Sequence, residues 1–269
     1  MRVEIINKEE LINLYKIHGL FACTCYNTPD KFAEKVGKSC NNDGHMSGSR
    51  TEYIKFRIYD VDRGTAEQIM RHEIGTDYDW NTYSYQDRIE IMVDVNPNNI
   101  IKNMQSFRYV DKNGFTYVIP DLIKKNEEAL HLYEQTMAVI EDNKNKIKEL
   151  LLKDGVDEKI AVENANFVLP RATNLTLTIG FTPEALIHFM HKRLCTRAQD
   201  LIRKVAIEMK KQVAEILPEF ANQLVPHCQH LLWCADGENL TCGAYPRKEE
   251  LKTHLKDLKR ETKHKGDSK

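Results

Sequence analysis

The sequence predicts an α+β fold, because strand-like and helix-like patterns both occur without a regular alternation. Residues 53–62 alternate apolar and polar side chains, which is typical of a strand with one buried face. Two long stretches, residues 124–153 and 183–217, repeat their apolar side chains at helical spacing instead. Strands and long helices that do not follow a βαβ order indicate an α+β arrangement.

Shorter elements are expected between these three. Residues 65–72 have apolar side chains along one side of a predicted helix. Apolar alternation at residues 89–93 and 175–179 predicts two further strands. The sequence therefore predicts a sheet whose strands are separated by helices of unequal length.

The ends of the two long helices have their own signals. Asp154-Gly155 is expected to stop the first helix, since glycine commonly follows a helix C-terminus. Pro183 suits the first turn of the second helix, and Pro218 is expected to end it.

The composition is that of an ordinary globular protein. The 269 residues are 41% hydrophobic and 29% charged. The 39 Lys and Arg residues nearly balance the 40 Asp and Glu residues, for a net charge of −1. This balance argues against a large nucleic-acid footprint but leaves room for a local basic pocket that binds one small anion.

The sequence also predicts a cytoplasmic protein. No apolar run approaches the ~20 residues of a membrane helix, and the first residues lack a signal-peptide core. Seven cysteines without a secretory context indicate reduced thiols. We expect one domain over residues 1–246 and a charged tail over residues 247–269.

Two arginines carry the most informative local pattern. Arg193 and Arg197 are four residues apart, so on one helix they would repel by about 0.2–0.5 kcal/mol. One interpretation is a solvated basic face. The other is a pocket for a phosphate or a developing oxyanion, because guanidinium groups match such anions.

A second polar group comprises Gln68, Arg71 and His72, which fall on the polar side of the predicted helix at 65–72. Ser84 and Arg88 follow in an aromatic-rich stretch that resembles a loop able to wall a flat ligand. Such loops also pack against neighbouring subunits, so both interpretations stay open.

Three cysteines near the C-terminus, Cys228, Cys234 and Cys242, lie close to His227 and His230. Three thiols and an imidazole are a potential zinc set. The spacing lacks the tight pairs that mark strong zinc motifs, which favours reduced structural cysteines and no metal.

Several motifs, in their order and spacing, make the sequence resemble the flavin-dependent thymidylate synthases. The similarity extends from about Ala22 to Pro246. The motifs are Ala22-Cys23-Thr24-Cys25-Tyr26, Gly44-His45-Met46-Ser47, Gln68-Ile69-Met70-Arg71-His72, Tyr117-Val118-Ile119-Pro120, Val168-Leu169-Pro170 and Arg193-Leu194-Cys195-Thr196-Arg197-Ala198-Gln199. The last of these is quite specific.

The resemblance implies an antiparallel sheet flanked by long helices and an enzyme that methylates dUMP to dTMP. Methylene-tetrahydrofolate would supply the carbon, and NAD(P)H would reduce bound FAD. The resemblance also implies a homotetramer with active sites between subunits, and no catalytic cysteine.

The same resemblance assigns site residues by position. Arg193 would hold the uracil ring and stabilise negative charge on it. The implied nucleotide contacts are Gln68, Ser84, Arg88 and Arg193. The implied flavin contacts are Ser47, Arg71, His72, His188 and Arg197.

The departures from the family pattern fall at these sites. Glu73 replaces a base, Arg50-Thr51 replaces Glu-His, and Thr182-Pro183-Glu184 replaces Asn-Ala-Arg. Arg88 comes a few residues later than its counterpart. Arg50 and Arg197 are expected to compensate in part for the lost bases. A divergent paralogue is therefore the alternative: either an enzyme acting at carbon 5 of another pyrimidine nucleotide, or a nucleotide-binding protein without FAD.

Overall fold

The computed structural model describes residues 1–72, 100–107, 114–236 and 239–251. Its strands are β1 Arg2–Ile5, β2 Ile54–Asp62, β3 Ile100–Met104 and β4 Asn174–Phe181. Its helices are α1 Lys8–Leu11, α2 Leu14–Tyr26, α3 Ala33–Asn42, α4 Arg63–Met70, α5 Asp121–Lys124, α6 Glu127–Lys153, α7 Glu158–Ala165, α8 Pro183–Arg193, α9 Asp200–Ile216, α10 Pro218–Ala221 and α11 His227–Leu231. Short 3₁₀ turns occupy Asp30–Phe32, Ser47–Thr51 and Asn166–Val168.

The chain divides into two compact units. The first takes its described residues from Met1–Lys8, Tyr53–Ile74 and Ser84–Phe181. The second takes them from Glu9–Glu52 and Thr182–Lys269. Among the described helices, none has both the length and the apolar character needed to cross a membrane.

The first unit contains an antiparallel sheet in the order β1-β2-β4-β3. Phe56 on β2 lies opposite Ile179 on β4, and Ile58 lies opposite Leu177, so the buried side chains of both strands share one face. The predicted alternation at 53–62 and the predicted strand at 175–179 are confirmed. The strand predicted at 89–93 lies outside the described residues.

The helices of the first unit begin where their sequence signals indicate. Asp62 caps α4, because its Oδ1 accepts a hydrogen bond from the Thr65 amide at 2.8 Å. Asn126 caps α6 in the same way through the Ala129 amide at 3.0 Å. Helix α6 ends at Lys153, as Asp154-Gly155 predicted.

The second unit is helical in the parts that the structure describes. Its helix α9 buries Ile202, Val205, Met209 and Val213, which recur at helical spacing. Helix α8 starts where Pro183 predicted, and the Thr182 hydroxyl accepts a hydrogen bond from the Ala185 amide at 3.3 Å.

The single helix predicted at 183–217 is wrong. Helix α8 ends at Arg193, residues 194–199 form a turn, and α9 begins at Asp200. The turn is closed by the Ala198 amide, which donates to the Cys195 carbonyl at 3.0 Å. Arg203 Nε donates to the Leu194 carbonyl at 3.3 Å and satisfies an acceptor at the end of α8. These contacts stabilise the turn, although the apolar residues keep their helical spacing across it.

The predicted boundary at residue 246 stays a prediction, since residues 252–269 lie outside the described part of the chain. Of the predicted tail, Arg247 to Leu251 are described. There the Arg247 guanidinium pairs with Glu250 at 2.7 Å.

Candidate functional site

The first unit contains a cavity of about 800 Å³ that we call the α4 cavity. The charged residues of its described lining are three arginines, Arg63, Arg71 and Arg171, and two carboxylates, those of Glu67 and Glu163. Glu67 pairs with Arg63 at 3.0 Å and with Arg171 at 3.6 Å. The Arg71 side chain has no ion-pair or hydrogen-bond partner among the described residues. The α4 cavity therefore carries a net positive charge, and Arg71 is its uncommitted cation.

Two aromatic rings add a flat apolar surface to the α4 cavity. The Arg63 guanidinium lies 5.0 Å from the centroid of the Phe107 ring, and Phe167 is 82% exposed. The Asn166 amide donates to the Phe107 carbonyl at 2.7 Å and fixes the backbone beside that ring. An exposed ring, that of Phe167, and a partly buried one, that of Phe107, beside guanidinium groups suit a planar, anionic ligand.

The second unit contains a cavity of about 510 Å³ that we call the α8 cavity. Arg193, the last residue of α8, and Arg197, in the turn that follows, both line it. Arg193 is half-buried, whereas Arg197 is exposed. The two guanidinium groups thus reach one cavity by a turn and not by a shared helical face.

Arg193 is an incompletely satisfied cation. Its Nε is buried and has no hydrogen-bond partner among the described residues, and burial lowers the pKa of its guanidinium. Removing a charge from water without pairing it costs free energy. An anionic group in the α8 cavity would supply the missing partner.

Imidazoles, thiols and the carboxylate of Asp236 also line the α8 cavity. The His191 ring stacks on His227 with centroids 5.1 Å apart, and a tilted contact of 5.0 Å joins it to His230. The lining cysteines are Cys195, Cys228, Cys234 and Cys242, and all four are free thiols. Within the described ranges, no three His, Cys, Asp or Glu side chains are arranged to hold a metal ion.

The turn Ser47–Thr51 lies against α8 in the second unit. Arg50 Nε and Nη2 donate to the two carboxylate oxygens of Glu184 at 2.7 and 3.3 Å. This bidentate pair raises the pKa of Arg50, chiefly through the hydrogen bond. Arg50 and Glu184 are two of the departures from the family pattern, and here they compensate each other. The expectation that Arg50 compensates in part for a lost cofactor-binding base stays a prediction, and in this structure its guanidinium pairs with Glu184 instead.

The predicted site residues are distributed over both units. Arg71 lines the α4 cavity, and Arg193 and Arg197 line the α8 cavity. Gln68 and His188 are half-buried and line neither of these two cavities in the described structure. His72 was predicted on a polar face, but it is buried, with 8% exposure, because α4 ends at Met70 and the chain turns at Arg71. The Ser47 side chain and all of Glu73, Ser84 and Arg88 lie outside the described residues.

Sequence reasoning missed several lining residues. Arg63 and Arg171 are far apart in sequence and meet only through Glu67, so no local pattern marks them. Cys195 joins the C-terminal cysteines at one cavity through the unexpected turn after α8. Arg63 is the first residue of α4, so a search for basic residues at the ends of predicted helices would have suggested it.

An antiparallel sheet and a set of helices define an α+β protein, and two cavities in it are lined by arginines. The sequence model of the family described as "Thymidylate synthase complementing protein", Thy1, matches residues 15–219. The chain belongs to this family, that of the flavin-dependent thymidylate synthases. The predicted family and fold class are confirmed.

Individual relatives carry the same name. The flavin-dependent thymidylate synthase of Nitratidesulfovibrio vulgaris is 33% identical over 208 residues, which cover 77% of this chain and 75% of the relative. That of Clostridium tetani is 27% identical over 261 residues, which cover 90% and 94%. That of Pyrococcus abyssi is 29% identical over 211 residues, which cover 77% and 75%.

Proposed function

We propose that the chain methylates carbon 5 of dUMP to give dTMP in the cytoplasm. In this proposal methylene-tetrahydrofolate donates the carbon and NAD(P)H reduces bound FAD. The names of the relatives support this reaction, since each is a flavin-dependent thymidylate synthase. The observation that carries the proposal is Arg193, which lines the α8 cavity and whose buried Nε has no partner within the described part of the chain.

In the proposed reaction Arg193 holds the pyrimidine ring. A guanidinium is a fixed, always-charged donor that can donate a hydrogen bond to a carbonyl oxygen of uracil. Negative charge is proposed to develop on that ring as carbon 5 is activated to attack the incoming carbon. A fixed cation stabilises this charge more strongly in a half-buried site than in water. Gln68, Ser84 and Arg88 are proposed to make the remaining nucleotide contacts.

The described residues fit a flavin in charge and shape. Arg71, which pairs with none of the described side chains, and the exposed Phe167 ring offer a cation for a pyrophosphate and a surface for a planar ring. When bound, the flavin would pass a hydride from NAD(P)H to the transferred carbon. Arg71 is proposed to hold the pyrophosphate, and Ser47, His72, His188 and Arg197 are proposed to contact the flavin.

One observation favours an alternative function. The Arg50 guanidinium binds the Glu184 carboxylate and not a ligand, in a segment where the family pattern has other residues. A chain with fewer bases for a pyrophosphate would bind FAD more weakly. The alternatives are a nucleotide-binding protein without flavin activity, or an enzyme acting at carbon 5 of another pyrimidine nucleotide.

Absorbance and turnover separate these functions. We expect the purified full-length chain to be yellow, or to become so with added FAD. We also expect it to oxidise NAD(P)H in the presence of dUMP and methylene-tetrahydrofolate. A colourless chain that binds dUMP but not FAD would establish the non-catalytic alternative. A flavin-loaded chain that ignores dUMP but responds to another pyrimidine nucleotide would change the substrate.

A homotetramer with active sites between subunits is part of the proposal, and α6 supports it. Leu132, Val139 and Leu150 on α6 are 65%, 58% and 59% exposed. They are about two and three turns apart, so they share one face, while Met137 is buried on another. A second copy of the chain is the proposed cover for this apolar stripe.

A charged side chain on this apolar stripe should lower the number of subunits in the oligomer. Val139→Glu is expected to lower the mass measured by light scattering, because an unpaired carboxylate would be buried in the interface. Ala138→Glu is the matched control, since it adds the same charge at an exposed position off the stripe. An unchanged mass for Val139→Glu would exclude α6 from the interface.

A further inference from the structure

The α8 cavity gathers four of the seven cysteines around two arginines. Cys195, Cys228 and Cys234 are half-buried, whereas Cys242 is exposed. A reagent that enters from solvent therefore meets the Cys242 sulfur first. The proposed reaction uses no thiol, so this concentration of sulfur has no role yet.

The surroundings of Cys242 differ from those of its neighbour Cys228. The Thr196 hydroxyl and the Ala244 amide donate to the Cys242 sulfur, and these hydrogen bonds lower its pKa. Burial and the three nearby thiols raise the pKa of Cys228. The thiolate is the nucleophilic form of cysteine, so Cys242 is the more reactive of the two.

The charge of the cavity selects the kind of reagent. Arg193, Arg197 and Lys192 line the same cavity as Cys242 and outnumber the one carboxylate in its described lining, that of Asp236. The Nε of Arg193 lacks a partner among the described residues. Cationic side chains raise the local concentration of anions. A small anionic molecule with an electrophilic sulfur meets both requirements of this site.

We infer that Cys242 is a modification site at which an anionic, low-molecular-weight disulfide closes the α8 cavity. The Cys242 thiolate attacks one sulfur of the disulfide and forms a mixed disulfide. The other half leaves as a thiolate and takes a proton from water, so no further oxidant is needed. The attached group occupies the cavity, and its carboxylates pair with the arginines. The regulatory consequence rests on the proposed function, because Arg193 must then be unable to hold the nucleotide.

Oxidised glutathione is the probe, and the intact mass of the full-length reduced chain is the readout. We expect one glutathionyl adduct that a reductant removes, and we expect Cys242→Ser to lose it. Cys25→Ser is the matched control, because Cys25 is also exposed but does not line the α8 cavity. An unmodified wild type, or an equal adduct on Cys242→Ser, would overturn the inference.

A neutral disulfide separates reactivity from charge. Arg197→Ala is expected to slow adduct formation with oxidised glutathione by roughly tenfold and to leave the rate with 2-hydroxyethyl disulfide unchanged. Equal slowing with both reagents would contradict the role of the cavity charge. The adduct should also abolish dUMP-dependent turnover until reductant is added. If the reduced chain has no dUMP-dependent turnover, the proposed function fails. The intact mass after treatment with oxidised glutathione still shows whether Cys242 is the modification site.

Discussion

Arg193→Ala is expected to lower turnover by about 10²–10³-fold without unfolding the chain. The large effect on rate follows from the loss of a fixed cation where charge develops on the pyrimidine. The small effect on stability follows from the structure. The Arg193 Nε has no hydrogen-bond partner to lose among the described residues, and a desolvated charge is removed.

Steady-state turnover and thermal unfolding with and without dUMP measure both effects. Lys192→Ala is the control, since Lys192 lines the same cavity but is exposed, and it should change turnover little. Arg193→Lys keeps the charge without the planar fork, so it should recover part of the activity. Near-normal turnover in Arg193→Ala would remove this residue from the mechanism.

Gly19→Ala is expected to destabilise the second unit by about 3 kcal/mol or more, beyond the usual cost of an overpacked side chain. A Cβ built on Gly19 lies 1.6 Å from the carbonyl oxygen of Ala33, and one on Gly37 lies 1.8 Å from that of Tyr15. Helices α2 and α3 therefore touch backbone to backbone at these two residues. Backbone atoms have no rotamer to adopt, so the helices must separate.

Denaturant unfolding followed by circular dichroism measures the loss. Gly37→Ala should behave like Gly19→Ala, because it obstructs the same crossing from the other helix. Gly180→Ala is the control, since its nearest contact is Lys55 Cγ at 3.4 Å. A Gly19→Ala chain as stable as wild type would show that the two helices do not cross this closely.

The sequence was informative where a pattern is local. The period of two at residues 54–58 reports a buried sheet face directly, and Thr182 with Pro183 marks the start of α8. The break after Arg193 was not predicted, because apolar spacing continues through it. Its backbone groups are satisfied by Arg203, a contact that depends on how α9 packs.

The candidate site was predictable in its residues more than in its arrangement. A motif identified Arg71, Arg193 and Arg197, but periodicity placed the last two on one helix. Arg63 and Arg171 meet at Glu67 from distant parts of the chain. Arg50 and Glu184 likewise form an ion pair, although in the sequence they were two separate departures from the family pattern. Such pairings depend on tertiary packing, which no single stretch of sequence records.

The turn at residues 194–199 has an evolutionary consequence. In a continuous helix, the distance between Arg193 and Arg197 would be fixed by the helix geometry. An insertion or deletion between them would then turn the buried side chains that follow away from the core. The connection between α8 and α9 sets the separation of Arg193 and Arg197 by a turn outside both helices, in which Leu194 is buried and Thr196, Arg197 and Gln199 are exposed. The approach of Arg197 to the α8 cavity can therefore change at these exposed turn positions while the buried faces of both helices keep their packing.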